Sequence, residues 1–156
     1  MSAERLAYQY VVLRCVPRVD REEFLNVGVV AYCQGAGFLA AACHVDEDRL
    51  RALWPAVDLG AVVHALAFVE GVCRGDGSLG DAAAGDLGTR FGFLKAPRST
   101  VVQPGPVHGG LTGDLGTRFG FLKAPRSTVV QPGPVHGGLT DDPAGELVRL
   151  LDVLVR

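Results

Sequence analysis

The sequence predicts an α+β domain in which a small antiparallel sheet, a three-strand meander plus a strand from a repeated segment, packs against three to four helices. Three observations predict it. Residues 6–15, 24–33 and 38–44 read as extended runs with side chains alternating between two faces, the apolar period becomes helical after residue 46, and a 28-residue segment, residues 85–112, recurs without a mismatch as residues 113–140.

Leu6 to Cys15 (LAYQYVVLRC) is rich in Tyr and Val, whose aromatic and branched side chains suit a pleated surface, and Pro17 closes it as a strand. After a charged turn over residues 18–23, the segment from Phe24 to Cys33 places Leu25, Val27, Val29, Ala31 and Cys33 on one face and Asn26, Gly28, Val30 and Tyr32 on the other. Gln34-Gly35-Ala36-Gly37 is a glycine-containing turn and Phe38 to His44 is again extended, so the two strands form a hairpin. The acidic start Asp46-Glu47-Asp48 introduces a short helix carrying Leu50, Leu53 and Trp54, limited by Pro55. Asp58 caps a stronger helix with the stripe Leu59, Val62, Val63, Leu66, Val69 and Cys73. Residues 75–84, rich in glycine and alanine, read as a linker.

Within the repeat, Asp86 caps a weak helical turn that faces Leu87, Phe91 and Leu94 toward the core, and Ala96-Pro97 stops it. Gly88 and Gly92 each cost this helix roughly 1 kcal/mol relative to alanine. Ser99 to Gln103 is β-like, Pro104 and Pro106 bracket a turn, and residues 107–111 form a loop or short strand. Asp142 at the N-cap and Pro143 at the first helical position open a last helix with Leu147, Leu150, Leu151 and Leu154 on one face.

Structural repeats drift apart and need three or more units to close a core, so two identical neighbours read as an insertion into a single domain of 128 residues. One site cannot hold both copies. Because each doubling of a flexible loop costs only about 0.6 kcal/mol, the expectation is that the 75–84 linker absorbs the extra length. Residues 113–140 then take the native place beside the short Thr140-Asp141-Asp142 joint. Residues 85–112 are expected to be loosely held, extruded, or swapped into a second molecule to make a homo-oligomer.

The chain carries 15 Lys and Arg against 17 Asp and Glu, a net charge of −2, which becomes −4 once one copy (three basic residues, one acidic) is removed. An acidic domain lacks the basic face that nucleic acid requires. No apolar run of about 18 residues is present, which predicts no membrane span, and MSAERLAYQY is too polar for a signal peptide. The cytoplasm is the expected compartment. Cys15, Cys33, Cys43 and Cys73 are scattered in apolar surroundings without a Cys-x-x-Cys pair and are expected to be buried reduced thiols. His44 and His64 belong to no ligand pair, so neither a metal nor another cofactor is expected.

Two clusters carry candidate binding chemistry. Arg14, Arg21, Glu22, Glu23 and Asn26 surround the first turn; Asn26 and Gly28 on one strand face, with Arg14 opposite, suit an anionic or carbonyl ligand. The same residues also suit an ion-paired turn whose asparagine satisfies backbone groups. The second cluster is Arg126, Ser127, Thr128, Gln131 and His136, with the duplicate set Arg98, Ser99, Thr100, Gln103 and His108. An arginine, two hydroxyls and an imidazole suit a phosphate or carboxylate, and serve equally as loop hydrogen bonds. There is no Gly-x-Ser-x-Gly elbow and no glycine-rich phosphate loop, which argues against hydrolase chemistry.

The strand Tyr8-Gln9-Tyr10-Val11-Val12-Leu13-Arg14, then Val16-Pro17-Arg18, and above all Arg21-Glu22-Glu23-Phe24-Leu25-Asn26-Val27-Gly28-Val29, resemble the bacterial family of domains of unknown function numbered 3037. Ala96 to Pro104 with His108, repeated at 124–136, fits the same family, so the resemblance covers nearly the whole chain apart from one copy. It implies a domain one copy shorter, no established reaction, and a HipA-like kinase as a partner. Gly88, Gly92 and Gly109-Gly110 depart from the usual pattern. The reading is a cytoplasmic, non-enzymatic binding or adaptor module for a protein partner or a small anion. The alternative is an enzyme or ligand-binding domain acting on a nucleotide or other phosphorylated small molecule.

Overall fold

A computed structural model describes residues 4–16, 23–96 and 129–156 of the chain. The alternating segments become strands β1 (Leu6–Val16), β2 (Leu25–Cys33) and β3 (Phe38–Cys43), and a fourth, β4 (Val129–Thr140), comes from the repeat region. All pairs are antiparallel in the order β3-β2-β1-β4. The helical segments become α1 (Glu47–Leu53), α2 (Leu59–Arg74), α3 (Leu87–Lys95) and α4 (Pro143–Leu154). This is the expected α+β architecture.

Helices cover both faces of the sheet. On one face Val11, Leu13, Cys15, Val27 and Val30 close a core with Leu50 of α1, Val62 and Val69 of α2, and Phe91 and Leu94 of α3. On the other, Tyr8, Val29, Ala31 and Cys33 pack with Leu147, Leu150 and Leu151 of α4. An aspartate starts each helix: Asp46, Asp58, Asp86 and Asp142 accept the backbone N–H of Arg49, Ala61, Thr89 and Gly145. Val63, expected in the apolar stripe of α2, instead faces outward and is 57% exposed.

The strict alternation expected along β2 fails at one point. Leu13 of β1 opposes Gly28, whereas Arg14 opposes Asn26, so Val27 is an extra residue in β2. Such a bulge resets the period. Leu25 and Val27 therefore join the face of Val30 and Tyr32, and Asn26 moves to the face of Val29, Ala31 and Cys33 and of α4.

The turn expected between the two prolines of the repeat is also corrected. In the second copy, Pro132 and Pro134 sit inside one continuous strand. Pro132 opposes Leu13 and Val135 opposes Val11, so Gly133 and Pro134 together face Val12. An edge strand with a bulge tolerates residues that cannot donate to the ladder.

The copies divide the work. Helix α3 belongs to the first copy and β4 to the second. The expectation that the whole of residues 85–112 would be loosely held is thus corrected at α3, where Phe91 and Leu94 are each 1% exposed. Residues 97–128 lie outside the described part. The linker reading of residues 75–84 fails for a physical reason. Gly77–Ala83 forms 3₁₀ turns, its Leu79 packs on the core, and Arg90 of α3 donates through Nη1 to the carbonyls of Val72 (3.0 Å) and Cys73 (2.9 Å) at the end of α2. With the joints before α3 and after β4 both short, the extra length falls between Lys95 and Val129. Residues 96–128 stand where a single copy needs only 96–100.

Candidate functional site

The central strand sets out a row of polar side chains. Arg14 pairs with Asn26 of β2 on one side and Gln131 of β4 on the other. Residues directly opposite each other share a face, so all three stand on the face that carries α4. That helix packs chiefly on β2 and β3. The β1–β4 half of the face presents Tyr10, Val12, Arg14 and Gln131, half-buried, and His136, exposed.

One member of the row, Asn26, and Arg49 of α1 hold the end of α4. Asn26 Nδ2 donates to Leu154 O at 3.0 Å and Arg49 Nη1 donates to Val155 O at 3.4 Å, which satisfies carbonyls left open at a helix C-terminus. The Arg14 guanidinium lies 4.3 Å over the centroid of the Phe24 ring. Its other side rests on Gly133, where a Cβ would meet Arg14 Nε, Cζ and Nη2 at 3.0–3.2 Å. A side chain there would push the guanidinium away by a few tenths of an ångström. Among the described residues, Arg14 Nε and Asn26 Oδ1 are enclosed and find no hydrogen-bond partner. Asn26 and Phe24, with Arg49 and Leu154, line a cleft of about 140 Å³.

His136 does not join this row. It opposes Tyr10 and stacks on it at 5.2 Å between centroids, four residues along β1 from Arg14, or about 13 Å of strand. Tyr10 in turn stacks on Tyr8 at 6.0 Å. The Tyr8 hydroxyl donates to Glu146 Oε1 at 2.8 Å, and Arg149 pairs with the same carboxylate. Burial, helped by Glu146, pushes the Tyr8 phenol up to about 12. Arg149's hydrogen bonds, then the Tyr8 hydroxyl, hold Glu146 below its usual range.

A depressed carboxylate stabilises the fold above its ordinary pKa, and that contribution is lost as pH falls through the folded value. Glu146→Gln is therefore expected to cost about 1 kcal/mol at neutral pH and little in acid. Urea midpoints for both proteins at neutral pH and near pH 3 check this, and an equal gap at both rejects it.

Of the residues expected to bind, the fold brings Arg14, Asn26 and Gln131 together, with Glu23 just ahead of β2. Asn26 and Gly28, expected on one face, lie on opposite faces because of the bulge. Arg21, Arg126, Ser127 and Thr128, and the duplicate set Arg98, Ser99, Thr100, Gln103 and His108, lie outside the described residues. Sequence reasoning missed Phe24 and Arg49. The one available signal for Phe24 was a large apolar residue ending a charged turn.

It also missed an open groove of about 590 Å³ at the other end of the sheet, lined by Tyr32, Gln34, Asp86, Gly88 and Thr89. Tyr32 stacks on Phe91 at 5.1 Å, and a Cβ at Gly88 would sit 3.1 Å from its hydroxyl oxygen. Gly88, read as a weak point of the helix, lets α3 approach Tyr32.

All four cysteines are free. Among the described residues no three His, Cys, Asp or Glu side chains group as metal ligands, and no helix is long and apolar enough to cross a membrane. A family model described as a protein of unknown function (DUF3037) matches residues 10–117 and 112–155, and the match restarts at the junction between the two copies. No curated protein and no solved structure matches.

Proposed function

Because this chain belongs to the DUF3037 family of proteins of unknown function, we propose its role from its surface: a cytoplasmic, non-enzymatic binding module that docks an anionic group of a protein partner on Arg14. The observation that carries the proposal is the pair of enclosed atoms without a partner among the described residues, Arg14 Nε and Asn26 Oδ1, where Asn26 and the Phe24 ring against which Arg14 lies both line a cleft on the half-covered sheet face. Buried polar atoms without a partner are uncommon and call for an explanation. An anion offers Arg14 the acceptor it lacks, and a donor on the partner does the same for Asn26. Phe24, 46% exposed, supplies an apolar rim, Gln131 is the cross-strand neighbour of Arg14, and Arg49 lines the cleft with Asn26. The cleft is small and open, which suits a side chain or chain terminus of a partner better than an enclosed small-molecule substrate.

The test has two arms on the full chain. Titration with inorganic phosphate is expected to shift the Arg14 side-chain N–H and Asn26 amide signals in nuclear magnetic resonance. Arg14→Met, checked for an unchanged fold, is expected to abolish the Asn26 response. Silence of both signals in the wild type at saturating phosphate overturns the anion reading. In the second arm a HipA-like kinase, the partner that the family resemblance implies, is expected to be retained by the tagged wild type and lost from Arg14→Met. Equal retention by both overturns docking at Arg14.

A further inference from the structure

We propose that the place of β4 beside β1 is an exchange site, occupied in one molecule by Val129–Thr140 and in another by the identical residues 101–112 of the same chain. Every side-chain contact that β4 makes with β1, α2 and α3 is available to residues 101–112, because the two segments do not differ at any position. What separates them is only how the chain reaches them. With residues 129–140 in place, the added length lies between α3 and β4, and Thr140 Oγ1 accepts the Asp142 N–H at 3.0 Å next to the start of α4. With residues 101–112 in place, the short joint from Ala96 to Thr100 is restored, the added length lies between the strand and α4, and the contact to Asp142 is lost. Helix α3 stays where it is in both arrangements. Loop closure depends only on the logarithm of length, so the two arrangements differ by little more than the Thr140 joint, and the second is a minor population in exchange with the first.

The exchange makes the two copies redundant. Val130 of β4 is 1% exposed in the core, and its twin is Val102. Val102→Asp is expected to leave the urea midpoint unchanged. Val130→Asp is expected to keep most of the fold by transferring the strand position to residues 101–112, and Val102→Asp with Val130→Asp is expected to lose it. A single Val130→Asp as damaging as the double overturns the proposal. A second measurement does not depend on loss of fold. Gln9 opposes Gly137, whose twin is Gly109, and Gln9 and Gly137 are exposed. Under mild oxidation, Gln9→Cys with Gly137→Cys is expected to crosslink fast. Gln9→Cys with Gly109→Cys is expected to crosslink more slowly but to completion, within one chain, as exchange feeds the trapped form. No crosslink in the second pair, or a crosslinked dimer in its place, overturns exchange within the chain.

Discussion

Leu13→Ala is expected to cost about 2–5 kcal/mol, and Gly28→Ala, made in the same molecule, is expected to return part of that loss. Leu13 lies on the central strand beside the bulge, is 1% exposed, and packs in the core that joins the sheet to α1, α2 and α3. Truncating it removes buried methyl groups at a point where strands on both sides hold the backbone, so the cavity collapses poorly. Gly28 opposes Leu13 across the β1–β2 pair. A Cβ added there would meet Leu13 Cδ1 at 3.2 Å, Cys43 Sγ at 3.0 Å and Ala42 O at 3.2 Å. Alone, Gly28→Ala is overpacked, and such changes cost about 1–3 kcal/mol. In the double variant the new methyl enters space vacated by Leu13, while its contacts to Cys43 and Ala42 remain. The pair is therefore expected to cost at least about 1 kcal/mol less than the sum of the singles. Urea unfolding of the four proteins measures the coupling, and simple additivity would falsify the close packing of Gly28 on Leu13.

That bulge also marks the limit of what the sequence discloses. The aspartate caps at Asp58, Asp86 and Asp142 are legible because a cap is a local bond to a residue three positions on, and all three form as expected, while Asp46, read only as part of an acidic start, caps α1 as well. The face of Asn26 is not legible, because alternation counts residues in one strand while a bulge is decided by the partner strand. The two prolines of β4 read as a turn for the same reason: their tolerance depends on lying at the sheet edge, a property of topology. Arg14 and Gln131 were each visible as candidates, but that they flank one another across strands distant in sequence follows only from the register. The division of α3 and β4 between identical copies lies beyond any reading of residue types. The contacts are the same whichever copy supplies them, and the choice falls to the joints at either end.

Alkaline solution is expected to unfold the protein steeply between about pH 9 and pH 12. Burial pushes the Cys15 thiol, on β1, up to about 12 from its ordinary 9.0. Burial does the same to Cys73, on α2, to about 12, against a partial opposing effect of Arg90. Cys43 of β3 is raised further, by burial and then by the carboxylate of Glu70. The Tyr8 phenol stands at about 12 instead of 10.0. All four groups keep their protons in the folded chain at pH values where the unfolded chain releases them. Their contribution is fully present below the unfolded values and is lost as pH rises toward the folded ones. Each group titrating in this window steepens the fall by about 1.4 kcal/mol per pH unit, so together they approach about 5 kcal/mol per unit near pH 11. That is comparable with the whole stability of a small domain. Urea midpoints taken from pH 8 upward give the slope directly. Cys15→Val replaces a fully buried thiol by a slightly larger apolar side chain and removes one titrating group, so it is expected to reduce the slope by about a quarter, whatever its cost near pH 8. A wild-type slope no steeper than one group supplies, or a slope that Cys15→Val leaves unaltered, would show that the thiols meet solvent in the folded protein and that the two cores do not close around them.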